Sequence, residues 1–102
     1  MANNFTTNPM RVDTTMASDY LTTIGASAGL ERPIKVVSIR IENPTPTAGT
    51  WTLTDGAATP QTLYETTLPA TGGTYLDSTE RLWRNFKAGA PPAGQVMWIE
   101  RR

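Results

Sequence analysis

The chain of 102 residues contains no cysteine and no histidine. The lack of cysteine excludes disulfide bonds and thiolate chemistry. The lack of histidine excludes the side chain that most often serves as a general base and as a transition-metal ligand. Apolar runs are also short, and none approaches the roughly 20 residues that a membrane-spanning helix needs. These absences favour functions that require neither a thiol nor an imidazole.

Charge is balanced, with nine basic and nine acidic residues and a formal net charge of zero. A neutral chain has no bulk electrostatic attraction for nucleic acid or for acidic lipid, so we expect neither nucleic acid nor membrane as a partner. The first ten residues, MANNFTTNPM, lack the basic and then apolar pattern of a secretory signal. We therefore expect a protein that is made and used without export through a membrane.

The residues that are present favour strands. Threonine is abundant, and glycine and proline recur along the chain. The branched Cβ of threonine is stiff and suits a pleated, half-buried surface. Long segments with the periodic pattern of an amphipathic helix are missing. The composition therefore predicts an all-β protein.

Two segments show the alternation of strands that are buried on one face. In IKVVSIRIE, Val37, Ile39 and Ile41 share a face, and polar residues take the other. In AGTWTLTDG, Trp51 and Leu53 share a face that we expect to join the same core, and a threonine row stays outside. Further short strands are predicted over residues 61–69, 72–77 and 95–100. This pattern predicts a small antiparallel β-sandwich, immunoglobulin-like or jelly-roll-like, with about six to eight short strands.

The segment STERLWRNFKA, residues 78–88, fits two structures. Asp77 and Glu80 match a capping box that would open a short helix. As a strand, the segment places Leu82 and Phe86 on one face and Trp83 on the other. The strand is the preferred interpretation, and the helix is the alternative.

Residues 1–30 are polar and carry isolated apolar side chains that are too sparse to build a core. We therefore predict an extended N-terminal arm over residues 1–30 and a β-sandwich domain over residues 31–102. The arm is either a terminus with one edge strand or a segment that becomes ordered on a neighbouring subunit. In the second case its partner-binding residues would be Phe5, Met10, Val12 and Tyr20.

Catalytic and metal-binding patterns are not found. The spacing of the nine carboxylates selects no pair of the kind that a glycosidase needs. The acidic segments TDG and LDSTE are too short to form a calcium loop. Asp55 and Asp77 are interpreted as turn residues whose side chains accept local backbone hydrogen bonds. We expect no enzymatic activity, no cofactor and no metal.

The tryptophans near the C-terminus are candidates for a partner-binding surface. If Leu82 and Met97 belong to the buried sets of their strands, then Trp83 and Trp98 point outward. Large exposed aromatic side chains are uncommon on monomers and are enriched at the centres of interfaces. We therefore predict Trp83 and Trp98 as partner-binding residues.

Four segments, taken in order, resemble parts of small β-sandwich proteins of tailed bacteriophage virions. They are AGTWTLTDG, LPATGGTYLDS, ERLWRNFKA and GQVMWIE. In such proteins a threonine-rich strand ends in Asp-Gly, a Gly-Gly-aromatic segment follows, and a two-strand hairpin closes the chain. The resemblance covers roughly residues 34–100 and leaves the N-terminal arm unmatched.

This resemblance implies a structural role in the virion. The expected protein is a capsid decoration, or cement, protein that binds the capsid exterior in many copies and stabilises it by burying surface. Its partner would be the major capsid protein or another virion protein, in a homo-oligomeric or multi-copy assembly. A head-fibre base and a tail-associated protein are alternatives within the virion. A carbohydrate-binding β-sandwich, which would use its aromatic side chains as a stacking platform, is an alternative of another class.

Overall fold

The computed structural model of the chain describes residues 3–5, 7–24, 34–44, 47–69, 72–78 and 80–102. These residues form eight strands and one short helix, and every strand pairing is antiparallel. The strands build two sheets that enclose one hydrophobic core. The predicted small all-β sandwich is therefore confirmed.

The larger sheet has the order β1-β8-β2-β5, and β6 also pairs with β2. The smaller sheet has the order β4-β3-β7. The element bounds are β1 Met10–Val12, α1 Tyr20–Ile24, β2 Ile34–Asn43, β3 Gly49–Thr54, β4 Thr62–Leu68, β5 Gly73–Asp77, β6 Arg81–Trp83, β7 Lys87–Ala88 and β8 Val96–Arg101.

The central strand β2 contains an irregularity that changes which of its residues are buried. Its register with β8 shifts between Val36 and Ser38, which is the mark of a β-bulge. Val36 and Ile39 are therefore fully buried, whereas Val37 is half-buried. The expectation that Val37 shares the buried face of Ile39 and Ile41 is wrong for Val37, because strict alternation assumes a regular ladder.

The alternation of β3 is regular and behaves as predicted. Trp51 and Leu53 are buried in the core, and the threonines that alternate with them, Thr50, Thr52 and Thr54, lie on the outer face of the smaller sheet. There, the hydroxyl oxygens of Thr50 and Thr67 lie 2.9 Å apart across β3 and β4. The threonine row therefore makes cross-strand contacts within this sheet.

The N-terminal residues that the structure describes belong to the sandwich. β1 pairs with β8, so that Met10 lies opposite Ile99 and Val12 lies opposite Met97. All four of these side chains have no solvent exposure. β1 is thus an edge strand of the larger sheet, as the first of the two alternatives for residues 1–30 has it, and its alternating side chains complete the core at that edge.

Four aromatic side chains join the N-terminal segment to the segment between β6 and β7. Tyr20 stacks on Phe86 with ring centroids 5.0 Å apart, and Phe5 meets both rings edge-on at 5.7 and 5.9 Å. Trp83 completes the cluster, 5.5 Å from Phe86. Such pairs add to the free energy gained by apolar burial. Phe5 and Tyr20 are thus anchored within their own chain.

The segment 78–88 confirms the strand interpretation in part. Residues 81–83 and 87–88 are strands, and the chain bends between them. Because of this bend, Trp83 and Phe86 are both buried, whereas Leu82 is 72% exposed. The predicted assignment of Leu82 to the buried face and of Trp83 to the outer face is therefore wrong.

Candidate functional site

The outer face of the larger sheet carries a row of four side chains from four adjacent strands. Arg11 of β1 lies opposite Trp98 of β8, Trp98 lies opposite Arg40 of β2, and Arg40 lies opposite Leu76 of β5. Directly opposed residues in an antiparallel sheet point to the same side. Arg11, Trp98, Arg40 and Leu76 therefore form one continuous surface, which we call the outer-sheet patch.

The centre of the outer-sheet patch is the half-buried indole of Trp98. The guanidinium carbons of Arg11 and Arg40 lie over this ring, 5.7 and 5.8 Å from its centroid. Both distances are within the range of cation–π attraction. The indole Nε1 is enclosed and has no hydrogen-bond acceptor among the residues that the structure describes. Trp98 therefore presents carbon surface and π-electron density at the sheet face and keeps its N–H inside.

The two arginines are balanced by carboxylates on the same strands or just beyond them. Arg11 Nη2 lies 2.9 Å from Asp13 Oδ2, and Arg40 Nη2 lies 3.3 Å from Glu42 Oε1. The Arg40 pair is largely exposed, and such pairs contribute little to folding stability. The two ion pairs hold the guanidinium groups of Arg11 and Arg40 across the sheet face, beside the indole of Trp98.

Beside the patch is a shallow depression of about 350 Å³. Arg40, Leu76 and Trp98 contribute to its wall, and the half-buried Val37 enters it because of the β-bulge. The described residues that line it are Pro9, Val37, Ser38, Arg40, Leu76, Ser78, Trp98 and Glu100. Glu100 is the one carboxylate in this set, so a mechanism that needs two facing carboxylates has no second acid there.

Three large apolar side chains are exposed on the described part of the chain: Tyr75 at 37%, Leu76 at 61% and Leu82 at 72%. Tyr75 and Leu76 lie on β5 and Leu82 lies on β6, and both strands flank the same side of β2. Leu76 is thus shared between the outer-sheet patch and this edge of the sheet. These exposed apolar groups are spread along one edge of the sheet, which makes that edge a second candidate interaction surface.

Tyr64 on β4 is a buried residue whose phenol has a shifted pKa. Burial raises the pKa of its phenol, and the neighbouring Tyr75 and Asp77 add to the effect. The guanidinium of Arg81, 5.0 Å from the Tyr64 ring centroid, opposes it. A phenol with a raised pKa stays protonated at neutral pH and is a poor general base. Tyr64 is therefore a packing residue under the β5–β6 edge.

The two acidic residues predicted in turns have separate roles. Asp55 Oδ1 accepts hydrogen bonds from the backbone N–H groups of Ala57 and Gln61 at 3.1 and 3.2 Å, which confirms the turn interpretation. Asp77 Oδ2 accepts a hydrogen bond from Arg81 Nη2 at 2.8 Å. This ion pair links the end of β5 to the start of β6.

Within the described ranges, no group of three or more acidic residues is placed to hold a metal ion. In the same residues, no helix has the length and the apolar character to cross a membrane.

Of the six residues predicted to bind a partner, one is in the surface row. Trp98 is central to the outer-sheet patch, whereas the other five, Phe5, Met10, Val12, Tyr20 and Trp83, are at most 8% exposed. These five side chains are covered by the core of their own chain and offer no surface in this structure. Sequence reasoning missed Arg11, Arg40 and Leu76 as site residues. Alternation in β2 does place Arg40 outside, but the β1–β8–β2–β5 order that aligns the row cannot be read from local patterns.

Comparison with known proteins gives no match to a family model, a curated protein or a solved structure.

Proposed function

We propose that this chain is a non-enzymatic structural protein of a bacteriophage particle. In this proposal it is a decoration protein that binds the capsid exterior in many copies, and the outer-sheet patch is its contact surface. The observation that carries the proposal is the row Arg11–Trp98–Arg40–Leu76 on an open sheet face, in which Trp98 lies between two guanidinium groups and Leu76 follows the second of them.

The composition of the patch suits a protein surface. Tryptophan and arginine are the residue types most enriched among those that dominate binding energies at interfaces. The apolar parts of Trp98 and Leu76 would be buried on contact, and the arginines would meet carboxylates or carbonyl oxygens of the partner. When many copies bind to a repeated lattice, the modest free energies of the individual contacts add up.

A carbohydrate-binding role is the second candidate, and the half-buried indole of Trp98 is the observation that favours it. Sugar rings stack on an open aromatic face. In this structure the guanidinium groups of Arg11 and Arg40 lie over that ring, and its Nε1 is enclosed. The same geometry that favours a protein contact therefore leaves less room for a sugar.

Co-sedimentation of the labelled chain with purified particles of its source phage tests the proposal. We expect saturable binding in many copies per particle, with release when the particles are dissociated. A glycan array run in parallel distinguishes the second candidate. Absence of binding to particles would contradict the virion role, and a specific glycan signal would favour the carbohydrate-binding role instead.

A further inference from the structure

β5 and β6 follow one another along the same side of β2, at one edge of the larger sheet. β5 lies opposite Ile39–Asn43 of β2, and β6 lies opposite Ile34–Val36 of the same strand. Neither strand has a second strand partner among the described residues. The outer side of this edge therefore presents backbone N–H and C=O groups that can pair with another strand.

The other edges that the structure describes are protected. At β1, Asn4 and Arg11 exchange two backbone hydrogen bonds of 2.9 and 2.8 Å. At β7, the backbone N–H of Met16 donates to the carbonyl oxygen of Ala88 at 3.4 Å. β4 carries the charged Glu65 and lies between Pro60 and Pro69 in sequence. Covering segments, charges and prolines are the usual means by which proteins block edge pairing.

β5 and β6 contain no proline, have no covering strand among the described residues, and carry two charges, Asp77 and Arg81, that neutralise each other. The strand Gly73–Asp77 contains no lysine and no proline, and its register with β2 is regular throughout. Its one charged side chain, Asp77, is paired with Arg81. The three exposed large apolar residues, Tyr75, Leu76 and Leu82, all lie on this edge. An uncovered edge with exposed apolar side chains is suited to pairing with another strand.

We propose that the β5–β6 edge pairs with the same edge of a second copy of this chain, antiparallel and around a two-fold axis. In the proposed register, Leu76 of one copy lies opposite Leu82 of the second copy. Leu76 is opposite Arg40 and Leu82 is opposite Lys35 on β2, so both leucines point to the outer face. The two-fold axis repeats each contact, so both copies would cover both leucines.

The same register brings two further pairs of β5 and β6 residues opposite each other. It places Asp77 of one copy opposite Arg81 of the second copy, on the inner face where these side chains already form an ion pair within each chain. It also places Tyr75 opposite the backbone of Trp83 of the second copy, whose side chain is buried in its own core. No like charges are opposed among these residues, and the exposed Leu76 and Leu82 meet each other. This self-complementarity is why a second copy is favoured over an unrelated extended peptide.

The lack of cysteine in the chain makes a direct test possible. Leu76→Cys and Leu82→Cys are prepared separately, mixed at high concentration and oxidised. The mixture is expected to give about ten times more covalent dimer than either variant alone, because two Leu76 positions would lie about 20 Å apart in this register. Thr67→Cys on β4, an edge outside the proposed contact, is the matched control and should remain monomeric.

Sedimentation of the unmodified chain provides the second measurement. We expect dimers that increase with concentration and are lost in Leu76→Lys, because a charge on the edge blocks strand pairing. Thr67→Lys is the matched substitution on the other sheet and should leave the dimer unchanged. Equal cross-linking in all three cysteine variants, or a monomer at every concentration, would overturn the proposal. Neither result depends on binding to a particle, so failure here is separate from failure of the proposed function.

Discussion

Tyr20 stacks on Phe86 with ring centroids 5.0 Å apart and an interplanar angle of 17°. This contact joins the helix near the N-terminus to the bend between β6 and β7, and both side chains are buried. The backbone N–H of Tyr20 also donates to the carbonyl oxygen of Phe86 at 2.8 Å. The N-terminal segment is therefore held to the sandwich by both packing and hydrogen bonding.

Tyr20→Ala is expected to lower the free energy of unfolding by about 3–4 kcal/mol, because removing a buried aromatic ring leaves a cavity and ends the ring contacts. Denaturant unfolding measures the change. Thr15→Ala, an exposed position on the same segment, is the control and should change stability by less than about 0.5 kcal/mol. Equal stability of Tyr20→Ala and the native chain would show that this segment is not part of the folded core.

Part of this architecture can be predicted from the sequence. The alternation in AGTWTLTDG predicts the burial of Trp51 and Leu53, because β3 is regular and covered on one face. Val37 is assigned wrongly, because a bulge in β2 shifts the alternation by one residue and nothing in the local pattern shows it. Trp83 is assigned wrongly because the chain bends at residues 84–86.

The candidate site is less predictable than the fold. Alternation in β8 predicts that the side chain of Trp98 points outward. Its neighbours Arg11 and Arg40 come from strands that are distant in sequence. The sparse apolar residues of the N-terminal segment suggest a separate arm. In the structure these few apolar residues are enough, because they join a core that is mainly built by the other strands. Pairings over long sequence distances are invisible to local patterns.

A buried polar contact provides the second prediction. Trp51 Nε1 donates to Gln95 Oε1 at 2.8 Å, and Gln95 Nε2 donates to the carbonyl oxygen of Thr47 at 3.0 Å. Gln95→Met should lower the free energy of unfolding by about 1–3 kcal/mol, because the buried indole N–H would lose its acceptor.

A double-mutant cycle with Trp51→Phe separates this hydrogen bond from packing. In the Trp51→Phe background, Gln95→Met should cost less than in the native chain, because no indole N–H remains to be left unpaired. The same loss in both backgrounds would show that the hydrogen bond is not the source of the stability.

The helix α1 provides a prediction on pH. Asp19 Oδ1 accepts a hydrogen bond from the backbone N–H of Thr22 at 2.8 Å, as an N-cap residue does. Hydrogen bonds from Thr22 lower the pKa of the Asp19 carboxyl in the folded protein, and Asn85 and Lys87 add to this. Because the folded-state pKa lies below the unfolded one, the stabilisation is present above about pH 4 and is lost as the pH falls through the folded-state value.

Asp19→Asn tests this directly, since asparagine also caps helices and does not titrate. The difference in unfolding free energy between the native chain and Asp19→Asn should be constant near neutral pH and should change in favour of the variant below about pH 4. Denaturant unfolding between acidic and neutral pH measures it. Parallel curves over the whole range would contradict the assignment.

The turn after β3 provides a prediction on backbone conformation. Gly56 has a φ of 73°, which disfavours residues with a side chain. A Cβ at this position would also lie 2.8 Å from Asp19 Cβ. Gly56→Ala is therefore expected to lower stability by about 1–3 kcal/mol. Ala57→Ser, at the next and exposed position, is the control, and equal melting temperatures for both variants would refute the prediction.

The role of the outer-sheet patch is tested by binding of patch variants to purified phage particles. Trp98→Ser combined with Arg40→Ser should reduce retention on the particles at least about tenfold while the fold is kept, because in the proposed function these residues supply the centre of the contact. Thr50→Ala combined with Thr67→Ala, on the outer face of the smaller sheet, should bind as the native chain does. If the Trp98 and Arg40 variant folds normally and still binds with native affinity, the patch is not the docking surface.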